Sequence, residues 1–464
     1  MLKLVEEIKP SVLSKDEIEN MLTQISPEEV EKAKKISLTP LKETILYKGE
    51  PGGAIIMDID GNKYIDCTAQ AWTLNIGYCQ PDVLYTVLTQ MKRLTHVRYG
   101  YPTIPRLKLL LKLSEIAPGN LKKVSFNNEG GGMAIEAAMK LAMVNSKKIG
   151  GHVFITFWRG YHGATLATIP ASMVLRVVVR FPGFGLDRFV KLPYPYCYRC
   201  PFGEKEYPDC GILCASFVER ALTEAVSAPV IGMIIEPMQG PGGQVPAPPE
   251  FLKELRRICN EYNIFLIFDE AQVAFGRCGR MFAAEYYNVI PDMIALTKAL
   301  GGGFPIGATL AREDLKEFTE GEEHTTFGSN PIMFAAALAS IEVIQRLNLP
   351  KRAEEMGNYI MGRLREMQET YEVIGDVRGA GLFIGVELVK DRKTKEPLNF
   401  LKVDMFLKEA FKRGVIFDVS MPIISEKGQI IRNVIKIKPP LTITREQVDR
   451  ALEVFEECLK KVSK

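Results

Sequence analysis

The sequence predicts an α/β protein with a large domain, built on a mostly parallel sheet covered by helices, and a smaller α+β domain. Between about residues 107 and 310, short apolar runs alternate with helical patterns. Several of these runs are apolar on both faces, which is typical of parallel strands covered by helices on each side. After residue 330, two long helical patterns precede the strand-like runs "IGDVRGAGLFIGVELV" and "NVIKIKPPLTI". This change of pattern indicates a second unit of α+β type.

Composition and length narrow the class of protein. The chain has 464 residues, 47% of them apolar and 25% charged, which is ordinary for a globular enzyme with a large core. A net charge of +3 gives no reason to expect nucleic acid or an acidic membrane as a partner. No apolar run approaches the roughly 20 residues of a membrane span. The charged N-terminal residues lack the apolar segment of a signal peptide, so we expect a cytoplasmic protein.

The elements can be assigned in chain order. Residues 1–45 have the pattern of a charged amphipathic helix, and "SPEEVEKAKK" opens on a capping serine. A hairpin is expected about the turn at residues 60–62, "DGN". The large domain should contain the strands "KKVSFNN", "HVFITFW", "VIGMIIEP", "IFLIFDE", "DMIALTK" and "IGATLA". We therefore expect an N-terminal helix and hairpin over residues 1–66 that pack with the small domain, a large domain over 67–345, and the small domain over 346–464.

Four cysteines stand close together in an expected insertion over residues 194–214. The segment "YCYRCPFGEKEYPDCGILC" has the spacing C-x2-C-x9-C-x3-C. Four thiols at this spacing could hold a structural zinc ion, pair as disulfides if the source is a hyperthermophile, or stay free. All three alternatives are open for Cys197, Cys200, Cys210 and Cys214.

Polar side chains follow the predicted strands of the large domain where each strand ends. Lys298 follows "DMIALT", Asp269 follows "IFLIF", and Glu236 follows "VIGMII". Tyr161 and His162 follow "HVFITFW". Ligands of open α/β sheets bind at the carboxyl ends of the strands, so we expect these side chains to converge. Burial of an ammonium group is costly, and a desolvated lysine prefers to be a neutral amine.

An amine, a carboxylate, an aromatic ring and a backbone anion site together match pyridoxal 5'-phosphate. Lys298 would form a Schiff base with its aldehyde, and Asp269 would pair with the ring nitrogen. Glycines 130–132 open a helix whose N–H groups would face the phosphate, and Tyr161 would lie flat on the ring. Each feature also has a structural alternative: a lysine in a loop, a helix-capping aspartate, a plain glycine turn or a tyrosine packed at the rim. Glu236 could be only a buried, hydrogen-bonded carboxylate.

Longer motifs extend over nearly the whole chain. They are "DIDGNKYIDC", "AIEAAMKLA", "YHG", "EPMQGPGG", "LIFDEAQVAFGRCGRMFA", "PDMIALTKALGGGFPIGA", "TTFGSNP", "GDVRGAGLFIGVELVKD" and "NVIKIKPPLTIT". From roughly residue 35 onward the sequence resembles the class III (ornithine/4-aminobutyrate-type) pyridoxal-phosphate aminotransferases of fold type I. The resemblance implies an enzyme that moves an amino group between an amino acid and a 2-oxo acid. It also implies a homodimer, or a dimer of dimers, with active sites shared across the interface.

The resemblance implies roles for individual residues at the matching positions. Lys298 and Asp269 match the cofactor lysine and the ring-nitrogen carboxylate. The other implied cofactor contacts are Gln272 at the 3-hydroxyl, Tyr161 on the ring with His162 beside it, Gly131 and Gly132 in the phosphate loop, Glu236 near the ring, and Thr326 at the phosphate of the neighbouring subunit.

The sequence departs from the family pattern around the substrate. Gly130 replaces a phosphate-binding hydroxyl, Pro241 replaces a gating glutamate, and Lys436 stands where an arginine binds a carboxylate. We therefore expect small or apolar α-amino acids as substrates, with Trp72 in the pocket wall and Lys436 or Arg432 at the carboxylate. The same motifs leave open an amino-acid racemase or epimerase of this fold. A dialkylglycine-decarboxylase-like enzyme and a non-catalytic scaffold are further alternatives.

Overall fold

A seven-stranded sheet forms the centre of the protein. The computed structural model describes residue 8 and residues 10–127, 130–173, 185–203, 207–424 and 428–463. The strand order is β4-β12-β11-β10-β7-β5-β6, and every strand is parallel to the others except β12, which is antiparallel to both neighbours. The strands are β4 (Lys123–Asn127), β5 (Val153–Phe157), β6 (Phe189–Leu192), β7 (Val230–Ile235), β10 (Phe265–Asp269), β11 (Met293–Leu296) and β12 (Gly307–Ala311), with the short pair β8 (Met238–Gln239) and β9 (Val245–Pro246) beside them.

Helices cover this sheet on both faces, as the apolar strands predicted. Every residue of β5, β7 and β11 is buried, because neither face of these strands meets solvent. The helix that follows β4 is rich in alanine, and its small side chains let it pack closely on β11 and β12. These observations confirm the α/β prediction. The helices of this part are α3 (Pro81–Met91), α4 (Ile104–Ile116), α5 (Gly131–Asn145), α6 (Leu213–Glu224), α7 (Pro249–Glu261), α8 (Ala283–Tyr287) and α9 (Pro331–Arg346).

The C-terminal part forms a second, antiparallel sheet with the order β13-β14-β20-β17. Helix α10 packs on β13, and α12 packs on α10 and α11. Within the described ranges, no single helix has both the length and the apolar character of a membrane span. Helices α9 and α10 have that length and apolar character only when taken together, and they are bent by 60° relative to each other. The elements are α10 (Leu349–Thr370), β13 (Ile374–Ala380), β14 (Phe383–Asp391), β15 (Glu396–Pro397), α11 (Phe400–Lys412), β16 (Val415–Ile416), β17 (Asp418–Val419), β18 (Ile423–Ile424), β19 (Ile430–Ile431), β20 (Val434–Ile437) and α12 (Arg445–Val462).

The N-terminal hairpin belongs to a small sheet with the order β1-β2-β3-β16. The strands are β1 (Leu46–Gly49), β2 (Ile55–Asp58) and β3 (Lys63–Asp66), and β3 runs parallel to β16 from the C-terminal part. Asp58 stabilises the predicted turn, because its Oδ1 accepts from the backbone N–H groups of Asp60 and Asn62. The hairpin therefore lies against the C-terminal unit.

Two helices, α1 (Lys15–Thr23) and α2 (Pro27–Ile36), stand where the sequence predicted helical structure before residue 45. Ser26 separates them: its hydroxyl accepts from the N–H of Glu29, and Pro27 at the first helical position cannot continue a preceding helix. Neither helix buries a residue against its own chain.

Candidate active site

Three functional side chains lie side by side at the carboxyl edge of the central sheet. Strand β10 lies between β7 and β11, and Asp269 stands at its last position, paired in register with Ala295 of β11. Glu236 follows β7 directly, and Lys298 lies two residues beyond the end of β11. The parallel register of the three strands therefore brings these residues to one edge, where ligands of α/β sheets bind.

Lys298 lies in a tight turn immediately after its strand. Its backbone has φ +53°, in the left-handed region, and it begins a 3-10 turn that ends at Gly301. Its Nζ lies 5.3 Å from the centre of the Trp72 indole ring and makes no hydrogen bond or ion pair with the described residues. Burial lowers the pKa of Lys298, and the positive charge of Lys436 lowers it further, against the opposing effect of Asp269. Burial therefore shifts this side chain toward its neutral amine form.

Asp269 is held by a buried histidine. Its Oδ2 lies 2.9 Å from Nδ1 of His162, and its Oδ1 accepts from the N–H of Ala271 at 3.1 Å. A carboxylate only accepts, so Nδ1 of His162 carries the proton. The backbone N–H of His162 donates to Ser172 at 2.8 Å, which fixes the ring from behind. His162 therefore positions the carboxylate that the sequence predicted to face a cofactor ring nitrogen.

Glu236 connects two loops of the site. One of its oxygens accepts from the N–H of Tyr161 and the other from the N–H of Gly240, both at 3.0 Å. Burial raises the pKa of Glu236 to about 7, and the negative charge of Asp269 contributes in the same direction. The carboxylate of Glu236 thus orders the backbone that carries Tyr161, whose own side chain is half-buried.

The glycines form a close backbone cradle. Gly131 begins the 15-residue helix α5, whose first N–H groups and positive dipole end suit a phosphate. A Cβ placed on Gly131 would lie 3.0 Å from Cγ2 of Thr297, and one on Gly132 would lie 3.1 Å from Cγ2 of Thr165. A side chain at either position would crowd Thr297 or Thr165, so glycine at these positions allows the backbone to approach a phosphate most closely.

Two buried polar atoms face the site without a hydrogen-bond partner in the described structure. They are Oε1 of Gln272 and Nε1 of Trp72. Trp72 ends a run of left-handed backbone, Ala69–Trp72, with φ between 42° and 67°. Such backbone is strained in non-glycine residues and is found where function holds it. The unpartnered atoms are of the kind that a polar ligand satisfies, so the residues present suit pyridoxal phosphate.

A second lysine, which the sequence analysis missed, joins Lys436 beside Trp72. Nζ of Lys436 and Nζ of Lys438 lie 3.0 and 2.9 Å from the same Oδ2 of Asp418. They lie 4.9 and 3.5 Å from the centre of the Trp72 ring. Burial lowers the pKa of Lys438 to about 7, whereas the two lysines hold the pKa of Asp418 well below its usual range. The alternation in "KIK" was the available signal, because residues two apart on a strand share a face.

Arg432 and Thr326 are the remaining predicted site residues. The guanidinium of Arg432 donates to Asp404 of α11 at 2.9 Å, so this side chain already has an acidic partner. Thr326 lies exposed in the turn before α9, and no other subunit is present to test the contact implied across an interface.

No disulfide joins the four clustered cysteines in the described structure. They line one cavity of about 380 Å³ together with Tyr196 and Tyr198. Burial and the neighbouring thiols raise the pKa of Cys197 to about 11 and that of Cys214 to about 12. In the described ranges, no group of three or more histidine, cysteine, aspartate or glutamate side chains is arranged to hold a metal ion. The zinc and disulfide alternatives therefore find no support in this geometry.

Comparison with known proteins identifies the family. The family model for class III aminotransferases matches residues 41–459, and the chain belongs to this family. A leucine/methionine racemase from Thermococcus litoralis is 35% identical over 452 residues, 96% of each chain. An acetylornithine aminotransferase from Methanocaldococcus jannaschii is 35% identical over 425 residues, 90% of this chain and 94% of that protein. The crystal structure of a Bacillus anthracis aminotransferase superposes with a TM-score of 0.84 at 27% identity, covering 97% of this chain and 100% of that one.

These findings confirm five of the sequence predictions. The family is class III, the fold is that of fold type I aminotransferases, the protein is an enzyme, its main function is that of an aminotransferase, and its cofactor is pyridoxal 5'-phosphate. Aminotransferases of this family use amino acids and 2-oxo acids. Both aminotransferases and racemases stand among the relatives of this chain.

Proposed function

We propose that the enzyme transfers the amino group of a small or apolar α-amino acid to a 2-oxo acid, as a cytoplasmic homodimer. This proposal rests on two side chains, Lys298 and Asp269, that lie at the same edge of the central sheet. Lys298 is an enclosed amine without an ion-pair partner among the described residues, and Asp269 is a buried carboxylate fixed by His162. A base and a fixed anion are what amino-group transfer on pyridoxal phosphate requires from the protein.

The chain's own residues would divide the work as follows. When bound, the cofactor supplies an electron sink for the electrons released from the substrate α-carbon. Lys298 Nζ takes the α-proton, and its lowered pKa favours the neutral amine that can accept it. Asp269 holds a proton on the ring nitrogen by its negative charge, and His162 keeps that carboxylate oriented. The N–H groups at the start of α5 hold the phosphate.

The surroundings of Trp72 support an α-amino acid as substrate. Lys436 and Lys438 share the single carboxylate of Asp418, so below pH 7, where Lys438 is charged, two positive charges face one negative charge beside the indole ring. A lysine binds a carboxylate as a point charge, which suits the α-carboxylate of a substrate whose side chain is apolar. Pro241 occupies the place of a gating glutamate, which argues against alternation between an ω-amine and a 2-oxo diacid.

Racemisation is the second candidate, and one observation favours it. The relative from Thermococcus litoralis, named a leucine/methionine racemase, aligns over 96% of both chains. Racemisation begins with the same proton removal by Lys298 and differs in the face of the α-carbon to which a proton returns. Since the two reactions share the base, only the products separate them.

A panel of amino donors tests both candidates. L-Leucine, L-methionine, L-alanine, L-ornithine and 4-aminobutyrate are each incubated with the enzyme, with and without a 2-oxo acid. We expect product to depend on the acceptor, and kcat/KM for the first three to exceed that for the two ω-amines. Appearance of the D-enantiomer without an acceptor, followed by chiral chromatography, would establish racemisation instead. A preference of more than about tenfold, or 1.4 kcal/mol, for either ω-amine would contradict the proposed specificity.

A matched pair of variants connects either activity to the site. Lys298→Ala removes the base and should abolish both turnover with an acceptor and racemisation without one. Lys351→Ala changes an exposed lysine of α10 and should leave both activities at the wild-type level. Substantial turnover in Lys298→Ala without an added amine would refute the role of Lys298.

A further inference from the structure

A second cluster of charged side chains lies outside the active site, where the loop after β5 meets strands β13 and β14. It contains three guanidinium groups, two of which lie over the ring of one buried tyrosine. Arg159 and Arg378 place their central carbons 5.0 and 4.8 Å from the ring centre of Tyr196. Glu387, buried on β14, and Arg199 complete the cluster.

Nearly every polar group of this cluster takes part in a hydrogen bond. Glu387 accepts from the hydroxyl of Tyr196, from Nε of Arg199 and, at 2.9 Å, from Arg378. Arg378 also donates to Asp376 at 2.6 Å and twice to the carbonyl of Gly243, at 2.8 and 3.1 Å. The two carboxylates are therefore committed to Arg199 and Arg378, and neither has a contact with Arg159.

Two donor groups of this cluster have no hydrogen-bond partner among the described residues. Arg159 makes no hydrogen bond or ion pair with any described residue, although its side chain is partly buried. Nη2 of Arg199 is buried and has no partner. Three guanidinium groups face two carboxylates, so one positive charge is uncompensated. Burial lowers the pKa of Arg159, and repulsion by Arg199 and Arg378 adds to this effect, whereas the attraction of Tyr196 and Glu387 opposes it.

A small cavity lies between these two donors. Its volume is about 30 Å³, and its lining includes Arg159, Arg199, Glu387, Gly242, Ser420 and Asn433. A space of this size admits one or two water-sized particles. It is too small for a phosphate ester or a dicarboxylic acid. A neutral water could satisfy Nη2 of Arg199, but it would leave the charge of Arg159 without compensation.

We propose that this cavity binds one small inorganic anion of the halide class, held by the guanidinium of Arg159 and by Nη2 of Arg199. Arg159 stands two residues before Tyr161, and Arg199 is joined through Glu387 to β14 of the C-terminal unit. The bound halide therefore connects the loop that carries Tyr161 to the second sheet, and it stabilises the folded enzyme by mass action.

Thermal unfolding of the cofactor-loaded enzyme tests this proposal. Tm is measured against increasing sodium bromide or chloride, with sodium gluconate keeping the ionic strength constant. We expect a saturable rise of Tm with either halide, because gluconate is too large for the cavity. Arg159→Gln should lose at least two thirds of that rise, whereas Arg346→Gln, at an exposed position of α9, should keep it. Equal rises in wild type and Arg159→Gln would overturn the proposal.

Diffraction decides the question without any variant. Crystals of the wild-type enzyme grown or soaked in sodium bromide should show an anomalous peak in contact with Arg159 and Arg199. A map with only water at this position, at bromide concentrations where the Tm rise is complete, would overturn the proposal. Absence of any halide-specific rise in wild-type Tm would do the same.

Discussion

Replacement of Lys438 by methionine should stabilise the protein at neutral pH. The side chain of Lys438 is 1% exposed, and its Nζ lies 2.9 Å from Asp418 and 3.2 Å from the carbonyl of Thr68. Lys436 contacts the same carboxylate oxygen at 3.0 Å, so Asp418 keeps an ionic partner in the variant. Methionine resembles the lysine stem in length and is apolar, which suits a position against the face of Trp72.

The expected gain follows from the pKa of Lys438. Its decrease from 10.5 to about 7 corresponds to about 5 kcal/mol of unfavourable burial at 1.36 kcal/mol per pKa unit. The two lost hydrogen bonds, one of them to a carboxylate, together cost about 3 kcal/mol. We therefore expect Lys438→Met to raise the free energy of unfolding by about 2 kcal/mol at pH 7.

The pH dependence provides an independent check. Between pH 7 and 10.5 the unfolded chain keeps a proton on Lys438 that the folded protein releases. The unfolded state binds more protons in this window, so wild-type stability should rise with pH across it and the full cost should be present below pH 7. The variant should lack this part of the rise.

Urea unfolding of both proteins across this pH window measures both effects. Lys351→Met, at a lysine whose side chain is 66% exposed on α10, is the matched control and should change little. If Lys438→Met is less stable than wild type at pH 7, or shows the same pH slope, then Lys438 is not a strained buried cation and the reasoning fails.

Three further predictions concern the site and the cysteines. Asp269→Asn should lower kcat/KM by several powers of ten, each worth about 1.4 kcal/mol, because a neutral amide does not hold a proton on the ring nitrogen. A decrease of less than tenfold in steady-state assays would show that Asp269 has only a structural role. Gly240→Ala places a Cβ 1.6 Å from Oε1 of Gln272, so the side chain of Gln272 must turn away. We expect the cofactor Kd, measured by fluorescence titration of the cofactor-free enzyme, to rise about tenfold, or 1.4 kcal/mol. An unchanged Kd would argue against a cofactor contact by Gln272. Thiol titration of the unfolded, unreduced protein should find all 9 cysteines reactive, with no stoichiometric zinc by elemental analysis; fewer reactive thiols or one zinc per chain would contradict the geometry.

The central sheet was largely predictable because its strands are apolar on both faces. The six predicted runs of the large domain all form strands, and Asp269, Glu236 and Lys298 converge because parallel strands end at one edge. Strand β6 was not predicted: its four residues, "FVKL", include a lysine, and it lies at the edge of the sheet beside β5. An edge strand that short carries too little hydrophobic pattern to be recognised.

Contacts between distant segments were the part that sequence could not provide. Asp418 meets Lys436 because β17 pairs with β20, although 14 residues separate the two strands in the chain. His162 was expected beside Tyr161, and its Nδ1 lies against Asp269, a partner 107 positions away in the chain that sequence spacing does not reveal. Arg432 was expected near the substrate because it is close to Lys436 in sequence, but its guanidinium pairs with Asp404 of α11.

Covalent capture of the cofactor tests the assignment of Lys298 most directly. The cofactor-loaded enzyme is reduced with sodium borohydride, digested, and its peptides are analysed by mass spectrometry. We predict one pyridoxyl group per chain, on the peptide that contains Lys298, and none in Lys298→Ala. Attachment at Lys436 or Lys438, whose amines approach the same indole ring, or no attachment at all, would contradict the active site described for this chain.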